Sequence, residues 1–265
     1  MSLPPISAPA LLRPDWPAPA RVRAAFTLRA GGVSTGGYGS LNLGAHVGDE
    51  AAAVAENRRR VAAALRLPAA PLWLSQRHGS AVVAAEDAMA SADDAMASAD
   101  ERDAAPPGDA AVTWRAGRVL AVLVADCLPV LLARRDGGAV AVAHAGWRGL
   151  AAGVIESTIA ALGAAGEELL AWLGPAIGPA HFEVGDEVRE AFCRQQRQAE
   201  AAFVRNRRGR WQCDLPQLAR QRLSALGVRA VHGGARCTYR EPASFYSYRR
   251  DGVTGRMAAL IWMAP

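Results

Sequence analysis

Val119–Leu150, VLAVLVADCLPVLLARRDGGAVAVAHAGWRGL, is the stretch whose reading decides the fold. Leu128–Ala133 and Ala139–Ala143 are apolar runs of strand length. Between them RRDGG carries the Asp-Gly signal of a tight turn, so the segment reads as a β-hairpin. Centring the turn on Asp136-Gly137 sets Cys127 opposite Gly146 and His144 opposite Pro129. Two titratable side chains distant in sequence therefore meet at the open end of the hairpin. Core packing alone does not require that placement, and it has the geometry of a site.

Outward from the hairpin, strand patterns recur at Val22–Leu28, Ala110–Trp114, Val119–Val124, Leu169–Leu173, Val228–His232 and Ala258–Met263. Leu72–Gln76 and Ala81–Ala85 flank QRHGS as a further strand–turn–strand pattern. Helices are expected over Glu50–Leu65, with Asp49 as N-cap, and over Leu150–Leu162, Asp186–Arg197 and Leu215–Leu226. Hairpins among the strands imply mixed sheets. The fold class is α/β (α+β), with mixed β-sheets flanked by helices, and no linker separates two domains. Residues 1–21 read as an irregular, Pro-rich lead-in and 22–265 as one catalytic domain. DAMASAD at Asp87–Asp93 is duplicated at Asp94–Asp100, without the large apolar seam of a coiled coil. The region at about 86–108 reads as a mobile insertion.

At 265 residues, 51% hydrophobic, the chain can bury a large core, and no run approaches the ~18 apolar residues of a membrane span. Its start lacks a cationic stretch followed by an apolar one, and the four cysteines show no CxxC spacing. Reduced thiols and a cytoplasmic location are expected. All 30 basic residues are arginine, which excludes a Schiff-base lysine and the lysine of a P-loop. The net charge of +5 is spread among 25 acids. RNRRGR (Arg205–Arg210) is the one dense basic run, without nucleic-acid aromatics, and reads as a solvated loop or hairpin turn. Small anionic substrates fit better than nucleic acid or membrane, and the oligomeric state stays open between monomer and weak dimer.

His78 in QRHGS, Cys127 in ADCLPV and His144 in HAGWRG each end a strand pattern beside small residues. One cysteine and two histidines form a three-donor zinc set with one open position, the arrangement of catalytic zinc. Such an ion lowers the pKa of bound water toward ~7 or polarises a substrate oxygen. Spacing alone leaves this set open against a Cys127 nucleophile with a His144 base, and against a packed histidine and a core cysteine.

TLRAGGVSTGGYGSLNLGAHVGDE, WLSQRHGSAVV, ADCLPVLL, HAGWRG, LGPAIGPAHFEVGDEV and SYRRDGVTGR together resemble the laccase-domain, or polyphenol oxidase-like, family, over about Phe26 to Trp262. Its members are described as purine nucleoside phosphorylases with adenosine deaminase activity. The resemblance implies a single domain of the laccase-domain, cysteine hydrolase-like fold, with His78, Cys127 and His144 as zinc ligands and catalytic centre. It implies phosphorolysis of adenosine, inosine, guanosine and methylthioadenosine, and deamination of adenosine. Arg29 beside the Gly-rich loop and Arg148 after HAGWRG are the preferred phosphate ligands because of their forked donors, with Ser34 and Asn42 as further substrate donors. Arg249 and Arg250 also lie in the matched motifs, and Asp126 is the carboxylate nearest to Cys127 in sequence. The chain departs from the family at Arg77, which makes the rim more cationic, and at His181-Phe182, where His181 is not counted as a ligand. Copper suits the donors less well, since five histidines cannot furnish a multicopper centre. A Cys-His hydrolase, a copper-dependent polyphenol oxidase, and a non-catalytic binder of nucleotides or cell-wall precursors stand as alternatives.

Overall fold

The computed structural model describes residues 8–90 and 105–265. Its strands are β1 (Leu11–Leu12), β2 (Val22–Thr27), β3 (Pro71–Leu72), β4 (Val82–Ala84), β5 (Ala110–Thr113), β6 (Val119–Val124), β7 (Leu128–Arg134), β8 (Val140–Ala145), β9 (Leu169–Leu173), β10 (Glu183–Val184), β11 (Phe203–Arg205), β12 (Trp211–Cys213), β13 (Ala230–Gly233) and β14 (Met257–Met263). The helices are α1 (Ala51–Leu65), α2 (Ala85–Ala90), α3 (Trp147–Ala151), α4 (Val154–Leu162), α5 (Asp186–Cys193), α6 (Leu215–Ala225) and α7 (Tyr248–Asp251). No helix among the described residues is long and apolar enough to cross a membrane.

Two large mixed sheets, ordered β1-β2-β14-β6-β3 and β13-β9-β7-β8-β5-β4, make the core. Their central strands are buried on both faces, which is why β6, β7, β8 and β14 read as unbroken apolar runs. The period-2 alternation of side chains divides these runs between layers. Leu120, Val122 and Val124 of β6 and Met257, Ala259 and Ile261 of β14 meet Leu131, Ala133, Val140 and Val142 of β7 and β8 between the sheets. The opposite face of β7 and β8 packs with Ile155, Ile159 and Leu162 of α4 and Leu218 and Leu223 of α6. The outer face of β6 and β14 packs with Val61 and Leu65 of α1. The result is a helix–sheet–sheet–helix stack. Burying a side chain such as Leu131 or Ile155 completely is worth about 1.5–3 kcal/mol.

The hairpin forms in the expected register, with Leu128 opposite Ala145 and Pro129 opposite His144. The RNRRGR run is the connection of the β11–β12 hairpin. Several expectations are corrected. The segments flanking QRHGS do not pair with each other, because β3 runs parallel to β6 in one sheet and β4 parallel to β5 in the other. The helix expected from Leu150 to Leu162 is two helices, broken at Ala152 and at Gly153, whose φ is 89°. The helix from Asp186 ends at Cys193. Asp49 does not cap α1: the N-cap position is Glu50, without a side-chain bond, and Asp49 is drawn into the loop network described below. Within the lead-in expected to be irregular, β1 pairs antiparallel with β2, and Trp16 and Ala18 pack against the inter-sheet core.

Residues 91–104 of the insertion expected at about 86–108 lie outside the described residues. Its beginning belongs to α2, where Glu86 accepts bonds from the Thr113 hydroxyl (2.7 Å) and the Trp114 N–H (3.1 Å). Near its end Pro107 bridges to Ser75.

Candidate metal centre

His144 lies on the same face of β8 as Val140 and Val142, the face toward the other sheet. Cys127 stands immediately before β7 and packs against the same layer. The open end of the hairpin is therefore also the open end of the inter-sheet core. His78 arrives on the segment between β3 and β4. Gln76 fixes that segment by mimicking a strand: its amide donates to the Leu123 carbonyl (2.9 Å) and accepts the Leu123 N–H (2.7 Å). His78 itself takes a left-handed conformation, φ 60°, which turns its ring toward the hairpin.

The ligand-capable atoms of His78, Cys127 and His144 lie within 4.8 Å of one another. Cys127 Sγ is 3.8 Å from His78 Nε2, and the two imidazoles meet edge to face at 4.8 Å between centroids. His144 is buried, Cys127 partly buried and His78 exposed, so the group opens on the His78 side. Gly146 makes this approach possible: a Cβ there would stand 2.8 Å from Cys127 Sγ and 3.2 Å from His78 Cδ2.

The residue that organises the group is Asp109, which the sequence reading passed over. His144 Nδ1 lies 2.8 Å from Asp109 Oδ1. A carboxylate can only accept, so this bond fixes the proton on Nδ1 and leaves Nε2 free as a ligand. The same carboxylate accepts the N–H groups of Arg77 (3.1 Å), His78 (2.9 Å) and Gly79 (2.7 Å). Asp109 thereby ties the His78 segment to β8. Burial pushes its pKa up, but the bonds from His144 and the N–H groups of Gly79 and Arg77 outweigh burial and hold it below the ordinary carboxylate value. The signal for it lies in the register: Ala110 opposes Ala143, so Asp109 is the next residue opposite His144.

Burial opposes charge on both Cys127 and His144, yet each favours the charged form of the other. His144 and then His78 lower the Cys127 thiol, while Cys127 and Asp109 raise His144. The two shifts favour the ionised thiol, the form in which a cysteine binds a metal.

Asp126, the carboxylate nearest to Cys127 in sequence, does not reach the donors. It occupies a corner at φ 88°, buried, accepting bonds from Thr238 Oγ1 (2.6 Å), Ser247 Oγ (3.0 Å) and the Arg249 N–H (2.7 Å). Those bonds anchor the 238–249 segment beside Cys127.

The other expected site residues are not brought to the three donors. Arg29 donates from Nε and Nη2 to the Gly39 carbonyl (3.2 and 3.1 Å) and from Nη1 to Pro242 (2.9 Å), bracing the Gly-rich loop. Arg148 is exposed over the Trp147 ring, 4.5 Å from its centroid, in a shallow cleft shared with Phe182, Glu183 and Arg249. Arg249 donates there to the Glu183 carbonyl. Arg250 caps the carbonyls of Thr238, Tyr239 and Phe245 and pairs with Asp251. Ser34 and Asn42 are buried, and both donate to Asp49 (2.6 and 2.9 Å). Asn57 completes this network by donating to Ser34 and to the Asn42 carbonyl. Their donors hold the Gly-rich loop on α1. His181 stacks on Tyr239, away from the three donors.

The family model described as multi-copper polyphenol oxidoreductase laccase matches residues 23–264. A Pseudomonas aeruginosa protein named purine nucleoside phosphorylase is 53% identical over 255 residues, covering 96% of this chain and 98% of its own. The Escherichia coli purine nucleoside phosphorylase YfiH is 49% identical over 253 residues, covering 96% and 98%. The crystal structure of a Neisseria meningitidis protein superimposes with a TM-score of 0.87 at 47% identity, covering 96% of this chain and 99% of the other. The chain therefore belongs to this laccase-like family, and the Pseudomonas aeruginosa and Escherichia coli relatives that match it over nearly all of its length are named purine nucleoside phosphorylase.

Proposed function

We propose that the chain is a zinc-dependent purine nucleoside phosphorylase acting in the cytoplasm on adenosine, inosine, guanosine and methylthioadenosine, with deamination of adenosine as a second activity and residues 22–265 as one catalytic domain. The observation that supports it most is the convergence of His78, Cys127 and His144 on one point, in a chain whose relatives carry that name. A thiolate and two imidazoles suit zinc, and three protein donors leave a position for substrate. A multicopper centre needs further clustered imidazoles, and among the described residues this is the one such group of three. When bound, zinc supplies Lewis-acid stabilisation of charge on an oxygen ligand.

In phosphorolysis a phosphate oxygen bonds to C1′ as the C1′–N9 bond breaks. The electron pair passes to the purine, which takes up a proton, leaving free base and ribose 1-phosphate. In deamination the oxygen of water bonds to C6, and ammonia leaves with the proton that water gives up. The protein's part in both is positional. Asp109 holds the Nδ1 proton of His144 and aligns its ring with His78, while Cys127 is kept anionic as a ligand.

The test is direct. Protein incubated with adenosine and phosphate is expected to yield adenine and inosine by chromatography, and to carry one zinc per chain. Cys127→Ser, His78→Ala and His144→Ala are each expected to lose zinc and activity together. Turnover no higher than in these variants would leave a binding protein.

One observation favours a second reading. Asp109, His144 and Cys127 form a chain of orienter, base and thiolate, as in a cysteine hydrolase. Activity that survives His78→Ala and chelation would establish that reading instead.

A further inference from the structure

Arg256 sits one residue before β14. Met257 opposes Val124, so Arg256 lies beside Ala125 at the same sheet end as the Asp126–Cys127 corner. Its backbone is clamped to the Gly-rich loop: its N–H donates to Asn42 Oδ1 (2.8 Å) and its carbonyl accepts the Leu43 N–H (3.0 Å). Gly44 leaves room for its stem, since a Cβ there would stand 2.8 Å from Arg256 Cγ.

The guanidinium is only partly engaged. Nη1 donates to the carbonyls of Thr254 (2.9 Å) and Gly255 (3.1 Å), and these neighbouring bonds fix its orientation. Nε and Nη2 make no bond among the described residues, and no carboxylate there is within ion-pairing distance of Arg256. Arg222, Arg236 and Arg250, by contrast, each meet a carboxylate, of Glu156, Glu241 and Asp251 respectively. The opposite charges that act on Arg256 are Cys127 and Asp126, whose oxygens are already taken by Thr238, Ser247 and Arg249. Burial pushes the Arg256 pKa down. A guanidinium half out of water, oriented and without a carboxylate, is a costly arrangement that an incoming oxyanion relieves.

We propose that Arg256 is the phosphate ligand of the site, presenting its free Nε and Nη2 edge to inorganic phosphate beside Cys127. This rests on the phosphorylase reading and gives that reaction its anion subsite, in place of Arg29 and Arg148. A divalent metal held by one thiolate and two neutral imidazoles would add one net positive charge beside that of Arg256. The nearby carboxylates of Asp109 and Asp126 are taken up by hydrogen bonds from the protein, so the group left facing a phosphate dianion is the guanidinium edge. Tyr248, 61% exposed and 5.9 Å from the Arg256 guanidinium carbon at its ring centroid, stands at the same mouth.

The test is equilibrium dialysis of the metal-loaded protein against radiolabelled inorganic phosphate, with metal analysis of each sample. Arg256→Ala is expected to weaken phosphate binding about 10–100-fold at unchanged metal content, the loss expected for charge-assisted bonds. Arg256→Lys, which keeps the charge and loses the fork, is expected to fall between the two and serves if the alanine variant does not fold. In turnover, KM for phosphate is expected to rise by a similar factor while KM for the nucleoside moves less than threefold. Phosphate binding unchanged in Arg256→Ala overturns the proposal, and so does loss of metal in step with phosphate. Phosphate bound through Arg256 by a protein that turns over no nucleoside leaves the subsite standing and removes the phosphorylase reading.

Discussion

Asp109 and Asp126 are two buried carboxylates on either side of the donor group, and they do different work. Asp109 touches a ligand ring and the backbone of the segment carrying another ligand. Asp126 touches no donor side chain; it fixes the corner before Cys127 and ties down the 238–249 segment. One carboxylate builds the donor group and the other builds its surroundings. The lesson is that proximity in sequence misleads: Asp126 is next to a ligand and serves the frame, while Asp109 is far from His144 in sequence and serves the ligand.

The sharpest way to break this contrast is Asp109→Ala. It strands the His144 ring N–H and three backbone N–H groups, and is expected to cost about 3–5 kcal/mol in denaturant unfolding, as for a broken buried pair. Metal affinity is expected to fall about 10–100-fold even in the gentler Asp109→Asn. Its amide has one acceptor oxygen where Asp109 uses two, one for His144 and the His78 N–H and one for the N–H groups of Arg77 and Gly79. Asp126→Ala strands two hydroxyls and one N–H, with an expected loss of about 1–3 kcal/mol, and metal content should remain near one per chain. If its metal content falls as far as in Asp109→Asn, the division of labour is wrong. Gly146→Ala probes the seam, since the new Cβ would press on Cys127 from one side and His78 from the other. A cost of about 1 kcal/mol is expected, at the low end for overpacking because both contacts are with side chains, together with a several-fold loss of metal affinity in a competitive chelator titration.

The same contrast separates what was legible in the sequence from what was not. The hairpin register was legible because an Asp-Gly turn between two apolar runs permits few pairings, and it brought Cys127 and His144 together. QRHGS misled as a hairpin because strand partners are chosen by the whole sheet; its flanks join different sheets. His78 was thus a candidate from its place beside small residues at the end of a strand pattern, and the resemblance, not spacing, tied it to Cys127 and His144. Ser34, Asn42 and Asp49 read as a ligand set and a helix cap because a polar residue in a Gly-rich loop carries no mark of facing inward. Buried around Asn57, they satisfy loop backbone that water cannot reach. Arg256 escaped notice because its partner in position, Asn42, is 214 residues away.

The three donors stand on two segments, the hairpin that carries Cys127 and His144 and the β3–β4 connection that carries His78, with His78 and Cys127 49 residues apart and His144 a further 17 beyond. An ion gripping all three is a staple across the chain's topology. It would close two consecutive loops whose freedom the unfolded chain would otherwise keep, and would bind the folded form far better than the unfolded one. The proposed centre would in this way also be a clasp on the fold, and chelation should loosen the molecule first at the segment whose hold on the hairpin passes through His78.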